Sequence, residues 1–112
     1  MAVYANISID QGSTFSSTVT VEGSDGLVFN LTGYTVRGQI RKSYASTSFT
    51  AFTATILSAI NGTITVSLTA QQTLALTAGR YRYDVEVVQT STTNVTRVVE
   101  GQVEISAGVT KP

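Results

Sequence analysis

The sequence predicts an all-β protein: an antiparallel β-sandwich of about seven to eight strands with one short helix near residues 69–76. Three observations carry that prediction. Apolar and polar residues alternate with period two along most of the chain, while helical periodicity is nearly absent. Thr and Ser supply 31 of the 112 residues, Thr in the majority, and threonine's branched Cβ stiffens χ1 and fits the pleat of a strand. Turn residues punctuate the alternation about every 8–12 residues, the rhythm of short antiparallel strands.

Each element follows from local pattern. In residues 3–9, Val3, Ala5, Ile7 and Ile9 alternate with small polar partners, and in 15–21 Phe15, Val19 and Val21 share one side. "EGSDG" (22–26) is a turn of residues that tolerate positive φ. "LVFNL" (27–31) is a short apolar run, closed by the turn "TG" (32–33). In "YTVRGQIRKS" (34–43), Tyr34, Val36, Gly38 and Ile40 face one way and Thr35, Arg37, Gln39 and Arg41 the other. After the polar loop "YASTS" (44–48), a strand over 49–56 places Phe52, Ala54 and Ile56 inward.

"LSAING" (57–62) leads into "TITVSL" (63–68), where Ile64, Val66 and Leu68 alternate with Thr63, Thr65 and Ser67. Asn61-Gly62 suits a two-residue type I′ turn. That turn would pair Ile56 with Ser67 and mix the two faces, so a longer loop is expected. Thr69 followed by Gln72 is the capping-box spacing for a short helix over "TAQQTLAL" (69–76). Strands over 80–89 and 95–105 close the chain, joined by "TSTTN". A chain of 112 residues is read as a single β-sandwich domain, 1–112.

The penultimate strand holds the densest charge. Arg80, Arg82, Asp84 and Glu86 alternate with Tyr81, Tyr83, Val85 and Val87, so a strand sends the ionic row one way and the apolar row the other. The last strand offers Val99, Gly101, Val103 and Ile105 as a matching apolar row. Aligning the rows puts Gly101 opposite Tyr83, where a missing side chain leaves room for the ring, with Asp84 near Glu100 and Arg80 near Glu104. Asp84 and Glu86 would lie roughly 7 Å apart, a spacing some glycosidases use for paired carboxylates. Flanking arginines are expected to keep both acids ionised rather than raise either pKa, which favours a solvated strand face over catalysis. A calcium site from Asp84, Glu86 and Glu100 lacks an adjacent loop to supply carbonyl ligands.

Other chemistry is excluded by inventory. The chain has neither histidine nor cysteine, which removes Ser-His and Cys-His pairs, typical zinc sites and disulfides. No phosphate-binding glycine motif is present, and no cofactor is expected. Formal net charge is zero with 12% of residues charged, so no nucleic-acid or membrane partner is expected, since both call for a basic excess. Arg37, Arg41 and Lys42, with Tyr44 nearby, read as a solvated basic face. Asn6, Asn30, Asn61 and Asn94 all head N-x-[ST] triplets, which a chain this rich in Ser and Thr produces cheaply. "MAVYANISID" lacks the basic and apolar regions of a signal peptide.

Two resemblances add to this. "TAGRYRYDV" resembles the corner entering strand F of immunoglobulin-like sandwiches, where a Gly is followed two residues later by the "tyrosine corner" Tyr. Gly79 and Tyr81 match, and Tyr83 stands where antibody domains have cysteine, which implies a disulfide-free immunoglobulin-like sandwich. Over most of the chain, "IDQGSTFSSTVTVEGSDG", "NLTGYTVRGQIRKS", "GTITVSLTAQQTLALTAGRYRYDVEVV" and "VTRVVEGQVEISAGVTKP" are similar in order to small structural proteins of tailed bacteriophages and prophages. The sequence departs from that group in having no proline before "NLTG" and Asn30 where Asp is common.

The resemblance implies a non-enzymatic virion structural protein of the tail, baseplate or neck, made in the host cytoplasm. A capsid-surface decoration protein and a carbohydrate- or receptor-binding module are the alternatives. Expected partners are other virion proteins, with the chain multicopy or homo-oligomeric. Gly79, Tyr81, Tyr83 and Gly101 are expected to be structural. The contact surface is not specified, although edge strands and the aromatics Tyr4, Tyr44 and Phe49 are candidates.

Overall fold

In the computed structural model, which describes residues 3–23, 26–43 and 45–108, the period-two sequence pattern becomes a burial pattern. The elements in chain order are β1 (Val3–Tyr4), β2 (Ile7–Asp10), β3 (Phe15–Thr20), β4 (Tyr34–Arg41), β5 (Thr50–Ala51), β6 (Thr53–Ser58), β7 (Thr63–Leu68), α1 (Ala70–Leu74), β8 (Gly79–Gln89) and β9 (Val95–Ser106). In β7 the alternation is complete: Ile64, Val66 and Leu68 are buried while Thr63, Thr65 and Ser67 are half-exposed.

The larger sheet runs β1-β9-β8-β4-β5, with β2 also on β9, and the smaller runs β3-β7-β6. This is an immunoglobulin-like sandwich, with β9, β8, β4 and β5 in the places of G, F, C and C′, and β3, β7 and β6 in those of B, E and D. Pairing is antiparallel except at the N-terminus, where β1 and β2 lie parallel to β9. They share one offset on it (Val3↔Val99, Ile7↔Val103), so they are a single strand interrupted at 5–6. The leading strand therefore sits beside the last strand instead of completing the small sheet. β5 and β6 are likewise one stretch that changes sheets at Phe52, whose N–H donates to the Gly38 carbonyl at 2.9 Å.

Residues from both sheets close one core, with Ile9, Ile40, Phe52, Ile64, Val66, Leu68, Tyr83, Val85, Val87 and Val103 among its buried members. Each such aliphatic side chain contributes about 1.5–3 kcal/mol relative to exposure. The run 27–31 is not a strand. Leu31 plugs the core and Phe29 stacks edge-on against Tyr34 at 5.4 Å, while Leu27 and Val28 face outward. The loop before β7 is longer than two residues, and a bulge sets Ile56 opposite Ile64, which keeps the faces unmixed.

The short helix has the capping box its sequence predicts. Thr69 Oγ1 accepts from the Gln72 N–H at 3.2 Å, and Gln72 Oε1 accepts from the Thr69 N–H at 2.9 Å. Its fully buried Thr73 accepts from the Gly12 N–H at 3.0 Å and lies 2.8 Å from the Ser13 carbonyl, tying the helix to the turn before β3.

Candidate interaction surfaces

The ionic row of β8 lies on the outer face of the large sheet, beside β4 and β9. Register pairs Arg41↔Arg82, Gln39↔Asp84 and Arg37↔Glu86 across β4, and Arg80↔Glu104 and Asp84↔Glu100 across β9. Of these residues, Arg37, Gln39, Arg41, Arg82, Asp84, Glu86 and Glu100 line an open concavity of about 440 Å³. Arg37 Nε meets Glu86 Oε1 at 2.9 Å, and Arg80 reaches Glu104 at 4.0 Å. The tyrosines of the same strand point the other way: Tyr83 is buried and Tyr81 half-buried.

Arg97 completes this face, and the strict alternation of β9 did not indicate it. Between Val85↔Val99 and Glu86↔Arg97 the register slips by one, leaving Val98 as an extra residue. Without that bulge Arg97 would oppose Val87 on the core side. With it, Arg97 lies 3.3 Å from Asp84 Oδ2 and 3.4 Å from Glu100 Oε1. The signal in the sequence is the doubled Val98-Val99, where the parity of apolar positions changes.

The expectation that arginines would prevent any rise in carboxyl pKa is corrected at Asp84. Burial lifts its carboxyl above the ordinary value, Glu86 adds to the rise, Arg97 opposes it, Glu100 adds again and Arg41 opposes. Desolvation and two neighbouring acids together outweigh two cations. The three acids nevertheless spread over an open sheet face, each held by or beside an arginine. Among the described residues no group of three or more acids is placed to hold a metal ion.

The residues expected to be structural occupy the first half of β8 and the facing position in β9. Gly79 takes a φ of +145°, a conformation L side chains rarely adopt, as β8 begins. Tyr81 makes the tyrosine corner, its hydroxyl donating to the Thr77 carbonyl at 2.7 Å, with Lys42 Nζ 4.7 Å above its ring. Tyr83 opposes Gly101 as the register argument expects. The reason for glycine is only partly the ring: a Cβ there would stand 2.0 Å from the Ala5 carbonyl oxygen, against 3.2 Å from Tyr83 Cε1.

Of the aromatic contact candidates, Tyr4 and Phe49 are exposed, Phe49 beneath the Arg41 guanidinium at 5.0 Å. Tyr44 lies outside the described residues, as do Ser24 and Asp25 of the turn over 22–26. Leu27, Val28 and Ile60 in loops and Leu57 in β6 are also exposed, and the Leu31 N–H donates to the Ala59 carbonyl at 2.8 Å.

The outer face of the small sheet is the chemical opposite of the charged one. Its strands contribute Ser16, Thr18 and Thr20, then Thr63, Thr65 and Ser67, then Thr53 and Thr55, with Leu57 at one corner. No charged residue occurs anywhere in β3, β6 or β7. Charge is thus partitioned between the sheets. Set against models of known protein families and against curated proteins, the chain matches none of them.

Proposed function

We propose that the chain is a non-enzymatic structural protein of a tailed-phage particle, present in several copies in the tail, baseplate or neck and working through contacts with other virion proteins. The observation that carries this reading is the hydroxyl-covered, charge-free outer face of the small sheet. Burying hydroxyls that find partners costs far less than burying ions, and the cores of protein–protein interfaces are depleted in charge. Zero net charge removes long-range repulsion between copies. The sequence's similarity to small tailed-phage structural proteins points the same way.

The test is incorporation. Particles purified from cells expressing the gene should contain the wild-type chain in multiple copies per particle by quantitative mass spectrometry. Thr65→Lys, which places a charge at the centre of the hydroxyl face without touching the core, should leave the melting temperature nearly unchanged and lower incorporation at least tenfold. Absence of the wild-type chain from particles, or undiminished incorporation of Thr65→Lys, would refute the proposal.

A further inference from the structure

Among the described residues the sandwich has several strand edges, and all but one carry a feature that discourages pairing with another chain. The β1–β2 edge is interrupted at 5–6 and ends in Asp10. The β5 edge is two residues long, and β6 is bulged between Ile56 and Ser58. β3 has none of these. Its six residues "FSSTVT" are in unbroken antiparallel register with β7 on one side and, among the described residues, pair with no strand on the other. The sequence offers no Pro, Gly or charge to blunt it.

The Val21 N–H donates to the Gly62 carbonyl at 2.7 Å, in the same register as the β3–β7 ladder. Antiparallel ladders alternate, so residues 15, 17 and 19 direct their backbone groups toward β7, and Ser16, Thr18 and Thr20 direct theirs to the open side. Beside this edge a slot of about 160 Å³ opens between the sheets, with Val3, Ile7, Ser17, Val19, Val66 and Val99 among its lining residues. It lies where a leading strand paired to β3 would stand, had the N-terminal strand not gone to β9.

We propose that β3 pairs antiparallel with β3 of a second copy, about a twofold axis at Thr18. That axis sets Thr18 against Thr18 of the partner and Ser16 against the partner's Thr20, so the open N–H and C=O groups satisfy one another in about six hydrogen bonds. Inside, Val19 of each copy lies against Ser17 of the other and covers the mouth of the slot. Outside, hydroxyl meets hydroxyl, a favourable cross-strand pairing, and no like charges face each other across the axis. A second copy fits better than a foreign strand because an isologous contact requires a self-complementary edge, and an uncharged run of Ser and Thr with alternate inward side chains is self-complementary. The two small sheets become one six-stranded sheet with a continuous hydroxyl face, which deepens the proposed function and rests on it for the use of that face.

Sedimentation of the full chain tests the pairing, with dimers expected for the wild type. Thr18→Pro removes only an outward N–H on an edge strand, and Thr18→Lys sets two cations on the axis. Each should halve the sedimenting mass while leaving the circular dichroism spectrum and melting temperature near wild type. In this cysteine-free chain, Thr18→Cys should give a disulfide-linked dimer on mild oxidation. The Cα separation of a hydrogen-bonded pair, about 5.5 Å, lies within disulfide range, whereas Thr65→Cys on the central strand should stay monomeric under denaturing conditions. A monomeric wild type at all concentrations, or a dimer that survives both Thr18→Pro and Thr18→Lys, overturns the pairing. Particle incorporation is read separately: a dimer excluded from particles sinks the proposed function alone, and an incorporated monomer sinks the pairing alone.

Discussion

The Tyr83 phenol donates to the Ala5 carbonyl at 2.7 Å, joining residues 78 apart in the chain at the point where the N-terminal strand leaves its ladder. On either side β1 and β2 keep one register with β9. Between them the Ala5 carbonyl turns inward to the phenol, while the Asn6 side chain accepts from the Gln102 N–H at 3.1 Å in place of a backbone carbonyl. Gly101 leaves the space that permits this approach.

Gly101→Ala should therefore displace the N-terminal strand, with a loss of about 1–3 kcal/mol from overpacking. Tyr83→Phe leaves the Ala5 carbonyl without its donor and should lose about 1–2 kcal/mol. Urea denaturation measures both. A Gly101→Ala midpoint equal to wild type would contradict the close approach.

Alkaline pH provides a second reading of the same tyrosine. Burial, with a smaller contribution from Tyr4, pushes the Tyr83 hydroxyl up to about 12 from its ordinary 10.0. The unfolded chain then binds fewer protons than the folded one between those values, so this stabilisation is complete below about pH 10 and is lost as pH rises toward 12. The loss is on the order of 2–3 kcal/mol. Tyr83→Phe should flatten that part of the stability profile, and an unchanged alkaline slope would count against the buried phenol.

At Asp84 the sign is the same and the effect smaller. A raised carboxyl binds its proton more tightly in the folded state, so its contribution is present at acid pH and lost as pH rises through the carboxylate range. Asp84→Asn should gain on wild type between pH 3 and pH 7, by less than about 1 kcal/mol because the side chain is substantially exposed. Arg97→Met removes an opposing cation and should move the Asp84 carbon resonance to a higher titration midpoint. A lower midpoint would show that Arg97 does not govern this carboxylate.

The tyrosine corner predicts an ordering of variants. Tyr81→Phe should lose about 1 kcal/mol with its hydrogen bond to Thr77, and Tyr81→Ala more, through lost packing. Glu86→Ala, on the outer face, should stay within about 0.5 kcal/mol of wild type. Thermal melts of the three variants suffice, and a Glu86→Ala variant less stable than Tyr81→Ala would reverse the assignment of faces.

Deleting Val98 removes the bulge but should keep Arg97 opposite Glu86 on the outer face, because Val85↔Val99 and Glu86↔Arg97 become consecutive pairs. The expected loss is that of the buried Val98 side chain, about 1.5–3 kcal/mol, read by urea denaturation. An Asp84 titration midpoint raised as far as in Arg97→Met would contradict this register.

Most of the sandwich was determined by the sequence, because a strand's two faces report directly in alternate residues. The rows of β4, β7 and β8, the capping box at Thr69–Gln72 and the Tyr83–Gly101 register all follow from local pattern and the cost of burying Glu100 or Gln102. Only the tertiary structure decided the rest. Whether the N-terminal strand completes the small sheet or joins β9, and so whether β3 keeps an open edge, depends on pairing between segments far apart in the chain. The placement of Arg97 depends on one unpaired residue in a strand whose composition looks ordinary. Alternation records which side chains are buried, but it does not record which neighbour each backbone edge will find.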